Sequence, residues 1–317
     1  MHTCKKFLAI FIFIVGILSA YNALAALVYT VSTSAGSGGT ISPSSRSVNY
    51  GNTTTFTITP NSGNYISSVT GCGGSLADNI YTTGAITANC TVTVKFMSGT
   101  LSAVAPSCTI ASGSNSCNTN LSWSTTNPIG TSAVTANGMT SVSGNSGSYV
   151  SFSVPYSSRT FYLYNNGNLL AQTTVTSGCA ANNTWNGSKC VLNSYTVSTS
   201  AGSGGTISPS SRSVSYGDNT TFTVSPNSGY HINSVTGCSG SLSGNTYTTG
   251  TITANCTVTA SFGINTYTIT ASSGSNGTVT PTGTTTKNYG TSQTYTIAPA
   301  NSNYRINNVL IDNEVGV

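Results

Sequence analysis

The chain has 317 residues, about a third of them Ser or Thr, with 34 Gly and only 4% charged residues. So little charge, and glycines with no three-residue period, exclude a charge-solvated disordered chain and a collagen-like one. Thr, Val, Tyr, Ser, Asn and Gly are the residues of strands and turns, which excludes long helices, and the length accommodates two to four small domains.

Taken in chain order, residues 1–25 read as a secretory signal peptide: Lys5 and Lys6, an apolar run from Phe7 to Leu18, and Ala23-Leu24-Ala25 as the cleavage site, so that the mature chain starts near Ala26. The alternative, an uncleaved anchor, has an apolar run of twelve residues, short of the ~18 to 20 that span a bilayer. Removing the signal takes away His2, Cys4, Lys5 and Lys6 and leaves seven Lys or Arg against four Asp or Glu, spread thinly. No basic patch results, so no nucleic-acid partner is expected. Membrane contact is expected only through the signal or an anchor beyond Val317.

Eight cysteines remain: Cys72, Cys90, Cys108, Cys117, Cys179, Cys190, Cys238 and Cys256. An even count in an exported chain argues for disulfides. The spacing of 18 residues between Cys72 and Cys90 recurs between Cys238 and Cys256, and the simplest assignment pairs sequence neighbours throughout. A zinc site would want CxxC knuckles or His partners, which are lacking.

Residues 29–96 and 195–262 are two copies of one unit that differ at 15 of 68 positions. A more distant third copy begins at YTITASSGSNGTVTP, residues 267–281. Tyr50-Gly51, Tyr216-Gly217 and Tyr289-Gly290 each precede a strand in which Phe56 and Ile58, Phe222 and Val224, or Tyr295 and Ile297 alternate with Thr or Ser, and which ends at Pro60, Pro226 or Pro299. Period-two alternation predicts half-buried antiparallel strands, and the closing strand repeats it, with Val92, Val94 and Phe96 on one face and Thr91, Thr93 and Lys95 on the other. So small a unit has a modest core and needs the support of a disulfide. The third copy has Asp312 where the first cysteine would align and stops before its closing strand, so residues 267–317, with Val279, Tyr295, Ile297, Val309 and Leu310 for a core, are expected to be marginal and the natural chain to continue past Val317.

The string YTVxxSAGxGGxISPS, the Tyr-Gly turn and TFTIxPNSGY resemble the divergent InlB B-repeat units of bacterial surface and secreted proteins, over residues 29–97, 195–263 and 267–317. The resemblance implies small, β-rich, β-grasp-like modules in tandem at the cell surface. Many such units carry Trp shortly after the Gly-Tyr turn; Val69-Thr70-Gly71-Cys72 and Val235-Thr236-Gly237-Cys238 stand there in this chain, which suggests a disulfide in place of a buried aromatic plug.

Between the repeats, Leu121 and Trp123, then Val150, Phe152 and Val154, then Phe161 and Leu163 alternate with polar residues, and Asn166-Gly167 signals a hairpin turn into Leu169 to Thr176. About seven short strands with one Trp early among them look like an immunoglobulin-like sandwich. Cys108 and Cys117 are too close in sequence for the inter-sheet bridge of antibody domains and are expected to clip a loop or hairpin. The loop from Cys179 to Cys190 reads as a rigid linker in which Trp185 packs against a neighbouring domain, or alternatively as an exposed stacking platform for a sugar ring. The expected organisation is therefore 1–25 signal peptide, 27–98 first repeat, 99–178 sandwich, 179–193 disulfide-closed linker loop, 194–263 second repeat and 264–317 incomplete third repeat.

The mature chain offers one His, three Asp and one Glu as acids and bases, an inventory too thin to predict an enzyme. His231 and Asp218 form a triad with a serine only on paper, because Tyr65 and Asn52 replace them in the sister repeat. Asp312 and Glu314 lack an Asp-rich calcium loop around them, and GSGG at 36–39 and 202–205 is a turn without the Lys and helix of a phosphate loop. No cofactor, metal or catalytic residue is expected. The expected protein is an all-β, disulfide-stapled, non-enzymatic stalk or adhesion module, extracellular or at the cell surface, whose partner is a glycan or protein of a host or cell surface. The alternatives are a glycan-binding protein using Trp185, Tyr230 and Tyr304, and the accessory region of a larger secreted enzyme.

Overall fold

The computed structural model describes residues 27–311 and the backbone of residues 314–316. The expected signal peptide, the expected start near Ala26, Asp312 and the side chain of Glu314 lie outside the described residues. All regular structure among the described residues is β. The chain divides into two compact units: residues 27–181 with Trp185–Cys190, and Asn182–Thr184 with residues 191–316.

The first unit opens with the first repeat, which comprises β1 (Val28–Ala35), β2 (Gly39–Ser42), β3 (Ser45–Asn49), β4 (Thr55–Pro60), β5 (Tyr65–Thr70), β6 (Ser75–Ala77), β7 (Ile80–Thr82) and β8 (Cys90–Ala103). One sheet has the order β3-β1-β8-β5; the other has the order β2-β4-β7-β6. The layer facing the first sheet is thus a second sheet, not a helix. Its core is built by the alternating positions: Val31, Val48, Phe56, Ile58, Tyr81, Ile86, Val92, Val94 and Phe96 are buried together. Fully burying a Val, Ile or Phe side chain contributes roughly 1.5 to 3 kcal/mol, so eight such residues and Tyr81, set against the backbone entropy of the whole repeat, leave room for covalent support. Gly39 is needed where the two sheets meet, since a Cβ there would lie 2.6 Å from the Thr59 carbonyl oxygen and collide with the Phe96 ring.

The strand β8 is 14 residues long and does not stop at the end of the repeat. Its first half pairs in parallel with β1, Val31 opposite Cys90 through Ala35 opposite Val94, and its second half pairs antiparallel with the first long strand of the middle module. That module consists of the tail of β8 with β9 (Ser107–Ile110), β10 (Ser116–Thr126), β11 (Ala133–Thr135), β12 (Val142–Ser143), β13 (Ser146–Pro155), β14 (Ser157–Asn165) and β15 (Asn168–Cys179). Strands β13-β10-β8 form one layer, continuous with the sheet of the first repeat, and β12-β11-β14-β15-β9 form the other. Between them Met97, Leu121, Trp123, Val134, Phe152, Val154, Phe161, Leu163 and Val175 are buried. Trp123 packs edge-on to Phe152 at 6.3 Å and donates from Nε1 to the Gly144 carbonyl at 2.8 Å. Asn166 and Gly167 both have positive φ, 45° and 78°, the pair of left-handed residues that a two-residue hairpin turn requires.

A short hairpin, β16 (Asn183–Trp185) and β17 (Cys190–Leu192), follows. The second unit contains the second repeat, made of β18 (Ser194–Ala201), β19 (Gly205–Ser208), β20 (Ser211–Ser215), β21 (Thr221–Pro226), β22 (Tyr230–Thr236), β23 (Ser241–Ser243), β24 (Thr246–Thr248) and β25 (Cys256–Ile264). Its sheets, β20-β18-β25-β22 and β19-β21-β24-β23, repeat the order of the first copy. The third copy has β26 (Thr266–Ala271), β27 (Gly277–Thr280), β28 (Gly283–Asn288), β29 (Thr296–Pro299), β30 (Val309–Ile311) and β31 (Glu314–Gly316). Pairing of Gly277 with Pro299 matches that of Gly39 with Pro60 and Gly205 with Pro226, so the opening strands keep the register of the complete repeats. Of the residues expected to make its core, Ile297 and Leu310 are exposed and Val279, Tyr295 and Val309 half-buried.

Candidate functional site

Four disulfides are present: Cys72–Cys90, Cys108–Cys117, Cys179–Cys190 and Cys238–Cys256. In each complete repeat the bridge ties the first residue of the closing strand to a turn held by a buried tyrosine. The Tyr81 hydroxyl donates to the Gly71 carbonyl and accepts from the Gly74 N–H at 3.0 Å, and Tyr247 donates in the same way to Gly237. The second bridge corrects the expectation of a clipped loop. Cys108 lies on β9 and Cys117 on β10, and these consecutive strands belong to opposite layers, so a separation of nine residues suffices to join the two sheets.

Trp185 is half-buried and lies flat on Tyr156, ring centroids 4.4 Å apart and planes 4° from parallel. One face of the indole is therefore spent on the middle module, between whose strands β13 and β14 Tyr156 stands. Cys190, in the same loop, is fully buried, and its N–H and carbonyl bond to Ser114 and Gly113. Tyr230 begins β22, and its ring packs over Gly204, where a Cβ would meet it. Tyr304 is exposed on a turn in which its N–H donates to Asn301. Trp185 belongs to the first unit and the two tyrosines to the second, each with separate neighbours. A hollow of about 140 Å³ beside the Cys238–Cys256 bridge is lined by Ser239, Thr251, Thr253 and Asn255 among others, and by none of the three aromatics.

His231 faces Gly263 across the β22–β25 pair, and its Nδ1 lies 2.8 Å from Asn265 Oδ1. Asp218 serves the turn after β20: its N–H donates to Ser215 and its carbonyl accepts from Ile252. Among the described residues there is no group of three or more His, Cys, Asp or Glu that could hold a metal ion.

What sequence reasoning missed is the surface through which each repeat meets its successor. In the first repeat Tyr65 and Met97 are cross-strand partners and both pack into the core of the middle module, where the Tyr65 hydroxyl donates to the Leu169 carbonyl at 3.2 Å. Ser67 donates to the Asn127 carbonyl, and Asn127 Nδ2 returns a bond to the Phe96 carbonyl. In the second repeat the corresponding partners are His231 and Gly263, and the third copy is met differently, with the Asn265 N–H on the Gly229 carbonyl and the Tyr289 hydroxyl 3.2 Å from Ser228 Oγ. The signal was in the copies themselves, because residues 64, 65 and 67 are among the few positions where they differ.

Residues 29–100 and 195–266 match the divergent InlB B-repeat domain. The first and second repeats are thus each a divergent InlB B-repeat domain, and the match covers these two stretches of the chain. No curated protein matches the sequence.

Proposed function

We propose that the chain is a non-enzymatic stalk at the bacterial surface, exported by its leader, that holds an adhesive part away from the cell. The observation that carries this reading is β8, which is at once the closing strand of a repeat and the opening strand of the next module, with no flexible linker between them. A chain whose function is to hold distance gains from such joints; a chain of independently acting catalytic domains does not need them. Exposed hydroxyls of Ser and Thr and disulfide bridges in place of a large core suit an oxidising, extracellular setting. We read the repeats as grasp-like in the central parallel pair of the first sheet alone, because a second sheet stands where a grasp fold carries its helix. The middle module we read as an immunoglobulin-like sandwich, supported by its layers β8-β10-β13 and β12-β11-β14-β15-β9; its Trp123 lies on β10, and its bridge joins β9 to β10.

Protease shaving of intact producing cells tests the proposal. Repeat peptides released without lysis are expected, together with loss of surface attachment when the gene is deleted. A chain recovered only from the cell interior would overturn it.

A further inference from the structure

We infer that the three complete modules are load-bearing clamps, arranged so that tension along the chain pulls each one in shear; the inference deepens the stalk reading and rests on it. In each repeat the first strand lies directly beside the closing strand, and in the middle module, whose opening strand β8 belongs to the other layer, the next strand lies beside the strand at the exit; all three pairs run parallel. In the first repeat these are β1 and β8, paired from Val31 opposite Cys90 to Ala35 opposite Val94. In the middle module they are β9 and β15, from Ser107 opposite Thr176 to Ile110 opposite Cys179. In the second repeat they are β18 and β25, from Val197 opposite Cys256 to Ala201 opposite Ala260.

Parallel neighbours pulled from opposite ends slide along each other. All the hydrogen bonds between them, evenly spaced in a parallel pair, are then strained together, whereas neighbours pulled from the same end open one bond at a time. Parallel pairing of chain-terminal strands is not required to close a sheet of this size, and an all-antiparallel meander would be simpler to connect. Here it occurs in the two repeats and again in a middle module of unrelated sequence.

The disulfides sit on these clamps. Cys90, Cys108, Cys179 and Cys256 each occupy a paired position of a parallel pair. Each bridge also removes its loop from the length that a broken module can release. β8 carries the load straight from the first clamp into the middle module, because the same strand serves both.

Single-molecule pulling on the full chain decides the matter. Handles at residue 27 and the C-terminus load the first repeat in shear; a handle at the exposed Ser37, just past β1, with the same C-terminal handle opens the β1–β8 pair from one end. At equal loading rate the rupture force of the first repeat is expected to fall at least twofold in the second geometry. That repeat is recognised in a variant with Cys72→Ala and Cys90→Ala, whose extension should lengthen by ~6 nm at the reach of an extended chain while the second repeat keeps its bridge and its length. Equal rupture forces in the two geometries would overturn the inference. Because the measurement uses purified protein, a directional force found in a chain that never reaches the surface would sink the stalk reading alone.

Discussion

Tyr65 and Met97 face each other across β5 and β8, and both side chains leave the repeat that contains them to enter the core of the following module. Met97 follows Phe96 directly, yet Phe96 is buried among the residues of the repeat and Met97 among those of the middle module. Side chains alternate across a strand, so one strand can serve two cores, one with each face.

Replacing Met97 with Ala should therefore damage a module to which residue 97 is only a neighbour in sequence. Truncation of a buried Met costs about 2 to 5 kcal/mol. Hydrogen exchange on the full chain should show the loss in β14, around Phe161 and Leu163, with β4 of the repeat little changed. Phe96→Ala should give the reverse pattern, and a uniform loss in both variants would refute the division of cores.

Tyr81→Phe and Tyr247→Phe remove a hydroxyl from the turn that carries each repeat disulfide. The variant in the first copy leaves a part-buried Gly71 carbonyl and Gly74 N–H without their partner, at a cost of about 1 to 3 kcal/mol. Exchange at Gly74 should accelerate in Tyr81→Phe and stay unchanged in Tyr247→Phe. Equal protection of Gly74 in both variants would mean that the hydroxyl contributes nothing to the turn.

The mature protein should contain no free thiol after unfolding, and the bridges should matter to stability. Paired replacement of Cys72 and Cys90 by Ala is expected to lower the stability of the first repeat by about 2 to 5 kcal/mol, chiefly through the unfolded chain. Thiol labelling with mass spectrometry checks the first statement, and exchange protection of Val92 and Val94 the second.

Residues 267–311 should exchange far faster than residues 195–262. None of the described residues after Phe262 is buried, so local opening there exposes little apolar surface and costs little. Matched protection in the two stretches would show that the third copy closes in a way its half-exposed apolar residues do not reveal.

Much of this architecture is legible in the sequence alone. Alternation placed Phe56 and Ile58, Val92 and Val94, and Phe161 and Leu163 inside, and the structure buries all six. Asn166-Gly167 located its hairpin for a reason of backbone geometry that acts over two residues. The legible features were local or periodic. Those that were not depend on which strand lies beside which: Cys108–Cys117 joining two layers, Trp185 finding Tyr156, and a strand that runs through the expected boundary at 98. A period-two pattern states which face is apolar but not which module that face will meet. At Met97 the pattern breaks in favour of the opposite face, and the break marks the change of module.

The strand shared by two modules also sets a rule for how such a chain can be lengthened or shortened. Up to Phe96 the even-numbered residues of β8 point into the repeat; from Met97 onward the odd-numbered Leu101 and Ala103 pack on the middle module. The two patterns are locked in phase by an unbroken backbone. One residue inserted after Met97 would turn Leu101 and Ala103 to solvent and bring Ser98, Thr100 and Ser102 inward, whereas two inserted residues would restore the phase. Exchange of repeats between such chains is therefore tolerated at this joint only in even steps, a parity constraint that a loop between modules would never impose.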